Sequence, residues 1–309
     1  MTARPLIWVT EPIHQDAWDL LKTKARVIGP GPITLEQEAE VDAVITRNYP
    51  VRKELCDQLT NLKVVGKHGA GLDNIDTGLL ERRSVQIFRA AGANAASVAD
   101  HSVLLALMLL RAPDLLDRNI RSGAPQSADL RVGYEPSERR IGILGMGAIG
   151  QAVASRLIKG FDATVAAYDP GLSAELWPNG VERYQDLDTL LQDTDLLFLH
   201  LPLLAETKNM ISTEQLSRLR PGAFIVNCAR GGIVDERALA DALKTGHIAG
   251  AASDVFEQEP PTSDNPLFAN GNRFIGTPHL AASTHAGLRR TGMIIAKKVL
   301  TALTEGKDT

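Results

Sequence analysis

The stretch Ile141-Gly-Ile-Leu144-Gly145-Met-Gly147-Ala-Ile-Gly150 decides how this chain is read. A short apolar run with strand character leads straight into glycines spaced G-x-G-x-x-G. The helix formers of Gln151–Ile158 follow, and Lys159-Gly160 suits a helix end. Three glycines alone are a weak signal, but strand before and helix after turn them into a phosphate cradle. The first permits the tight turn, the second lets a pyrophosphate approach the backbone, and the third lets helix pack on strand. The helix amino terminus adds free N–H groups and a partial positive charge. Gly145, Gly147, Ala148, Ile149 and Gly150 are therefore expected to line a dinucleotide.

The next strand ends in Tyr168-Asp169-Pro170, and Asp169 lies 19 residues beyond Gly150 (169 − 150). A ribose-binding acid is expected at about 20 residues past the glycines. Its carboxylate accepts hydrogen bonds from ribose hydroxyls and repels a 2′-phosphate. Pro170-Gly171-Leu172 brings no arginine to reverse that preference, so NAD is expected rather than NADP.

Working outward, β-rich runs alternate with helical patterns along nearly the whole chain. Before the glycines, strands are expected at Leu6–Thr10, Ala43–Ile45, Lys63–Gly66 and Val85–Phe88. Helices near His14–Lys22, Lys53–Leu59 and Thr77–Arg83 separate them. A longer helical stretch, Ser97–Arg121, contains Pro113, which breaks or kinks it. Its all-round apolar segment Val103–Leu110 suits either a core helix or one buried between domains or subunits. Ser122–Arg140 reads as loop. From Ile141 a second series places strands at Thr164–Tyr168, Leu196–Leu201, Ala223–Asn227, Ile248–Ser253 and Phe274–Thr277. Such alternation implies parallel sheets with crossover helices, an α/β fold. The last helix, Thr284–Leu303, is expected to return to the first domain.

In open α/β sheets, ligands bind beyond the carboxyl ends of strands. Arg230, Asp254 and His279 each follow an expected strand, and Glu259 sits in the loop after Asp254. All four can face one crevice with a nicotinamide. Oxidising an alcohol by hydride transfer needs a base for the hydroxyl proton and a cation for the acid's carboxylate. His279 suits the first role because an imidazole titrates near neutrality. Glu259 can orient that ring, and Arg230 can grip a carboxylate in a bidentate pair. Taken singly, Arg230 also reads as a surface ion-pair residue, Glu259 as a solvated loop acid and His279 as a helix-capping residue. No His, Cys and Asp set has metal-ligand spacing, so no metal is expected.

The segments around these residues resemble the D-2-hydroxyacid dehydrogenases. They are Asn227-Cys-Ala-Arg230-Gly-Gly-Ile-Val-Asp235-Glu-Arg-Ala-Leu239, Asp254-Val-Phe-Glu-Gln-Glu259-Pro260 and Thr277-Pro-His279-Leu-Ala-Ala-Ser283. His200-Leu-Pro-Leu-Leu-Ala-Glu206-Thr and Val65-Gly-Lys-His-Gly69-Ala-Gly71-Leu-Asp73-Asn74-Ile-Asp76 belong to the same likeness. The resemblance implies two doubly wound parallel-sheet domains. It implies a Rossmann NAD-binding domain, 97–279, inserted into a flavodoxin-like substrate domain, 1–96 plus 280–309. It implies a homodimer, with Arg230, Glu259 and His279 as the catalytic set and Asp254 near the nicotinamide amide. It also implies cofactor contacts from Ser97, Pro202, Thr207, Cys228 and Ala229. Ala70 and Gly71 would offer backbone N–H groups to the substrate carboxylate. Arg47, in Thr46-Arg47-Asn48, resembles the arginine with which phosphoglycerate dehydrogenases hold a distal anion, to which Arg289-Arg290 can add; a structural surface arginine is the other reading of that position. His101 and His200 read as structural.

Some positions depart from the common pattern. Ser137-Glu-Arg-Arg140 replaces Gly-Lys-Thr, Ala148 stands where many relatives carry arginine, and the loop after Gly123 lacks the tryptophan of glyoxylate and hydroxypyruvate reductases. Glu259 argues against the formate dehydrogenase branch, which pairs its histidine with glutamine. A binding protein that senses NAD(H), like the C-terminal-binding-protein corepressors, is the alternative from another functional class. A carboxy-terminal regulatory domain is not expected after Thr309, nor is the serine-type feedback of longer relatives.

Bulk properties agree with this reading. At 309 residues the chain fits two domains, and 44% apolar with 23% charged residues is ordinary for a globular protein. A net charge of −4 offers no basic field for nucleic acid or an anionic membrane. The longest apolar run, Val103–Leu110, is far short of the roughly 20 residues that span a bilayer. The stretch before Glu11 has no long apolar run, so a secretory signal is not expected, and the isolated Cys56 and Cys228 do not resemble a disulfide framework. A reducing cytoplasm is the expected setting.

Overall fold

The computed structural model describes residues 4–125 and 132–305, which fall into two compact units. One unit is Met1–Asn94 with Ala282–Thr309, and the other is Ala95–Ala281.

In the first unit, β1 (Leu6–Val9), β2 (Arg26–Ile28), β3 (Val41–Thr46), β4 (Val64–Lys67) and β5 (Gln86–Arg89) form a parallel sheet in the order β2-β1-β3-β4-β5. This is the flavodoxin-like winding, whose strand order reverses between β1 and β3. Helices α1 (Gln15–Lys24), α2 (Leu35–Glu40), α3 (Lys53–Gln58) and α4 (Thr77–Arg82) connect the strands. The short α2 is started by a reciprocal capping box between Thr34 and Gln37, and Asp76 caps α4. Alternate strand residues point to opposite faces. Ile7, Val9, Ala43, Ile45 and Val64 bury one face together with Ile295, Ala296, Val299 and Leu300 of the last helix. Leu6, Trp8, Val44 and Val65 bury the other. Gly66 makes the close approach of that helix possible, because a Cβ there would stand 2.7 Å from Val299 Cγ2.

The second unit begins with α5 (Ala95–Arg111) and α6 (Pro113–Ser122). The break expected at Pro113 is present: Ala112 adopts φ 45° and the two axes bend by 53°. Residues 126–131 of the expected loop lie outside the described residues. The rest of that loop holds one 3₁₀ turn, Pro136–Glu138, closed by a reciprocal Glu135–Glu138 cap. Then come β6 (Ile141–Leu144), α7 (Ala148–Phe161), β7 (Val165–Tyr168), β8 (Val181–Arg183), α8 (Leu187–Gln192) and β9 (Leu196–Leu199). They continue into α9 (Thr213–Arg218), β10 (Ala223–Asn227), α10 (Glu236–Thr245), β11 (Ile248–Ser253) and β12 (Phe274–Gly276). The final helix, α11 (His285–Glu305), belongs to the first unit. The seven-stranded parallel sheet runs β8-β7-β6-β9-β10-β11-β12, the Rossmann order with one strand added.

Some elements differ from the expected ones. The strands β2 and β8 are three-residue edge strands, too short for an alternating pattern to stand out. Helix α7 runs past Lys159-Gly160 to Phe161, and Asp162 rather than Gly160 takes the left-handed cap at φ 51°. Within Val103–Leu110, Val103, Leu105, Ala106 and Leu110 are buried, and Leu104 is 50% exposed in the single chain. No single helix among the described residues is long and apolar enough to cross a membrane.

Candidate active site

At the topological switch between β6 and β9, the three glycines of the opening motif separate into distinct roles. Gly145 has φ 90°, and a Cβ on it would stand 2.5 Å from the His200 carbonyl oxygen. Gly150 is buried, and its Cβ would lie 2.1 Å from the Gly145 oxygen. Both are required by the fold itself. Gly147 is exposed, and a Cβ there would meet no heavy atom within 4 Å. That open space is where a phosphate can approach the amino terminus of α7, whose cap position supplies no side-chain hydrogen bond.

Asp169 closes the same turn. Its Oδ2 accepts from the Met146 N–H at 2.7 Å and its Oδ1 from the Gly171 N–H at 2.9 Å. These bonds fix the carboxylate and leave each oxygen a further lone pair for a ribose hydroxyl. Cradle and acid together fit a dinucleotide. Pro202 and Thr207 lie in the turn after β9, where the Thr207 hydroxyl donates to the Pro202 carbonyl at 2.6 Å. Cys228 and Ala229 are buried just after β10, and burial pushes the Cys228 thiol up to about 12, so it stays protonated and unreactive. Ser97 is buried within α5.

The strands β10, β11 and β12 end level with one another: Asn227 pairs with Ser253, and Ser253 with Gly276. The residues that follow them are thereby presented side by side. After β12 the chain turns sharply, with His279 at φ 50°. Two backbone bonds hold that turn, from the His279 N–H to the carbonyls of Asp254 (2.8 Å) and Thr277 (3.0 Å). His279 Nδ1 lies 2.7 Å from Glu259 Oε2, while Glu259 Oε1 accepts from the Phe256 N–H at 3.0 Å. Burial alone would raise the Glu259 carboxyl. The His279 and Phe256 hydrogen bonds, with the charges of His279 and Arg230, outweigh it and hold the group below the usual range. Arg230 thus acts on Glu259 by charge, and its Nη1 donates to the Ala229 carbonyl at 2.7 Å. Such a set can hold a proton on the imidazole beside a cation suited to a carboxylate.

Asp254, 1% exposed, anchors this turn. It accepts from the Thr277 hydroxyl (2.6 Å), the Leu280 N–H (2.9 Å) and the Ala281 N–H (2.9 Å). His101 Nε2 is 3.1 Å from the same Thr277 hydroxyl, which gives His101 its structural place. His200 is likewise structural: its ring nitrogens are buried without a hydrogen-bond partner, and burial pushes its pKa down to about 3. Sequence reasoning gave Asn227 no role. Its side chain accepts from the Ala229 N–H (3.0 Å) and donates to the Arg230 carbonyl (3.1 Å), shaping the arginine turn. An asparagine ending a strand was the only available signal.

In the first unit, Arg47 follows β3 at that sheet's own switch point, beside Glu11 at the end of β1. Glu11 accepts the N–H groups of Arg47 (2.6 Å), Asn48 (2.8 Å) and Tyr49 (3.2 Å). Although burial raises it, those backbone bonds hold its carboxyl below the usual range. The Lys67 ammonium donates to the Arg47 carbonyl and to Asn74, so this loop is clamped from two sides. The Arg47 guanidinium reaches Ser283 Oγ at 2.5 Å. Ala70 and Gly71 lie in the loop after β4, half-buried. Arg289 pairs with Asp16 at 2.5 Å, and Arg290 donates to the Ala93 carbonyl at 3.0 Å.

The sequence profile of the D-isomer specific 2-hydroxyacid dehydrogenase NAD-binding domain matches residues 103–281, more than half of the chain. This chain belongs to that family. Its NAD-binding domain is therefore the part that carries the glycine cradle, Asp169 and the Arg230, Glu259 and His279 group. Among curated relatives, D-3-phosphoglycerate dehydrogenase of Archaeoglobus fulgidus is 36% identical over 95% of this chain, which spans 56% of that protein's length. The (S)-sulfolactate dehydrogenase of Chromohalobacter salexigens is 37% identical over 92% of this chain and 89% of its own. Among solved structures, a glyoxylate reductase from Paecilomyes thermophila superposes with a TM-score of 0.86 at 27% identity. That match covers 99% of this chain and 97% of the other.

Proposed function

We propose that this protein is an NAD-dependent D-2-hydroxyacid dehydrogenase in which Arg230, Glu259 and His279 do the chemistry. The observation that carries the reading is the 2.7 Å His279–Glu259 pair, set on level strand ends with Arg230 acting on it by charge. In the oxidising direction His279 takes the C2 hydroxyl proton as the C2–H bond breaks, and Glu259 stabilises the resulting imidazolium. Arg230 binds the carboxylate and polarises the C2 oxygen. NAD, when bound, supplies the hydride acceptor. Reduction of the 2-oxo acid runs these steps in reverse, with His279 returning the proton. Cofactor contacts are assigned to Gly145, Gly147, Ala148, Ile149, Gly150, Asp169, Pro202, Thr207, Cys228, Ala229, Asp254 and Ser97.

For the substrate we favour an acid with a second anionic group. The names of two relatives, phosphoglycerate and sulfolactate dehydrogenase, each specify such an acid. Arg47, at the switch point of the first sheet, suits the distal anion, while Ala70 and Gly71 suit the carboxylate. Hence the first unit is assigned to the substrate and the second to NAD. The exposed Leu104, beside Leu107 and Phe161, suits pairing into a homodimer, and a cytoplasmic setting fits two free thiols.

NADH oxidation across phosphohydroxypyruvate, sulfopyruvate, hydroxypyruvate, glyoxylate and pyruvate tests the reading. The expected result is turnover with at least one of the first two at a kcat/KM well above pyruvate. Tight NADH binding with no turnover across the panel would replace this reading with an NAD(H)-sensing role. Sedimentation velocity tests the dimer.

A further inference from the structure

We propose that Glu236 is a positioning residue for the Glu259–His279 pair, gripping both ends of the loop that carries Glu259; the inference rests on the reading of that pair as the proton-transfer centre. Glu236 is the first residue of α10, directly after the cap residue Asp235, whose own carboxylate serves the helix by accepting from the Ala238 N–H at 2.9 Å. The Glu236 carboxylate is turned toward a different element. One oxygen accepts the Glu257 N–H at 2.7 Å and the other accepts Asn265 Nδ2 at 2.6 Å. These partners bracket residues 257–265, a mostly exposed segment without helix or strand.

Glu259 needs that segment held in place, because its two oxygens have separate duties. Oε1 accepts the Phe256 N–H and Oε2 meets His279. A second contact fixes the same backbone. A Cβ on Gly231 would fall 1.8 Å from the Phe256 oxygen and 2.6 Å from the Glu257 nitrogen, so the turn beginning at Arg230 lies flat against the Phe256–Glu257 peptide. At the far end, Asn265 Oδ1 accepts the Leu267 N–H at 3.0 Å and ties the loop to a segment with buried Leu267. Glu236 therefore joins the start of α10 to both ends of the Glu259 loop. It acts on the chemistry only through Glu259. Charge-assisted bonds to backbone and amide donors are well suited to this, being roughly twice as strong as neutral ones.

The test uses the full chain with Glu236→Ala and Glu236→Gln. The first readout is the ¹³C carboxyl titration of Glu259, assigned by its loss in Glu259→Gln. In Glu236→Ala that titration is expected to move up toward the ordinary glutamate value of about 4.3. Turnover is expected to fall about tenfold to a hundredfold, the cost of misplacing a reacting group by up to about 1 Å. NADH affinity should hold within about twofold, and the acid limb of the kcat profile should move with the Glu259 titration. Glu236→Gln keeps an acceptor for the Glu257 amide and should restore most of both properties. If Glu236→Ala does not fold, Asn265→Ala removes the far anchor alone and should move the titration in the same direction. A folded Glu236→Ala or Asn265→Ala protein in which Glu259 titrates as in the wild type overturns the proposal. If the wild-type protein turns over no 2-oxo acid, the dehydrogenase reading fails, while the titration still decides the role of Glu236.

Discussion

The Nδ1 atom of His279 and Oε2 of Glu259 stand 2.7 Å apart on two adjacent strand-end loops. Nδ1–H donation to the carboxylate leaves Nε2 as the atom that exchanges a proton. His279→Ala should leave the NADH dissociation constant within about twofold while kcat falls by about 10²–10⁴-fold. Glu259→Gln keeps shape but not charge and should also lower kcat. Because the Glu259 carboxyl is held below its usual range, the pair persists down through the ordinary glutamate region near pH 4.3 and is lost only below it. The acid limb due to Glu259 should therefore vanish in Glu259→Gln. A His279→Ala enzyme with wild-type turnover, measured by NADH absorbance, would remove His279 from its role.

The glycine cradle predicts two opposite phenotypes from one kind of substitution. Gly150→Ala forces a Cβ against the Gly145 carbonyl at 2.1 Å and should cost several kcal/mol of stability or prevent folding. Gly147→Ala meets no protein atom within 4 Å, at a backbone of φ −70° and ψ −166° that alanine adopts readily. Its melting temperature should match the wild type while NADH affinity drops. Thermal unfolding beside fluorescence titration separates the two, and unchanged NADH binding in Gly147→Ala would place the pyrophosphate elsewhere.

Asp169 is held by the Met146 and Gly171 N–H groups and cannot swing away from a 2′-phosphate. Asp169→Ala should raise the KM for NAD by about tenfold to a hundredfold, the value of hydrogen bonds to a charged group. It should raise NADP use at the same time. Steady-state kinetics with both cofactors checks this, and a selectivity that stays put would count against Asp169 as the ribose acid.

Two buried imidazoles make stability fall on the acid side. Burial, aided at His68 by the charge of Arg47, pushes His68 down to about 4, and burial pushes His200 to about 3. Both values lie below the unfolded value of about 6.5, so the unfolded chain binds protons first as pH drops. At pH 7 neither residue carries a penalty. Below about pH 6.5 each should remove up to about 1.4 kcal/mol of stability per pH unit until its folded pKa is reached. Urea unfolding at pH 7.5 and pH 5 measures this, and His200→Phe should flatten the dependence. An equal loss in wild type and variant would show that His200 is not the source.

Much of this protein is legible in its sequence. The strand-glycine-helix sequence at Ile141–Gly150, the spacing to Asp169 and the alternation of apolar runs specify parallel α/β sheets, because each signal is local. The edge strands Arg26–Ile28 and Val181–Arg183 are not legible, since each is three residues long and carries charge, whereas the equally short Phe274–Gly276 has no charged residue. Asn227, Glu11 and Glu236 were unreadable as site-shaping residues for another reason. Their partners are backbone N–H and C=O groups or side chains of loops, and backbone groups have no residue type to recognise.

The sequence by itself determined the class of fold, the cofactor and the identity of the charged residues near the strand ends. Only the tertiary structure decided which of them meet. His279 and Glu259 are 20 residues apart in the chain, and their hydrogen bond exists because β11 and β12 end in register. A parallel sheet aligns ends that its crossover connections keep far apart in sequence. The same packing divided the three glycines into two that the fold requires and one, Gly147, left open for a ligand. Spacing alone makes them equivalent, and the atoms opposite each missing Cβ make them different.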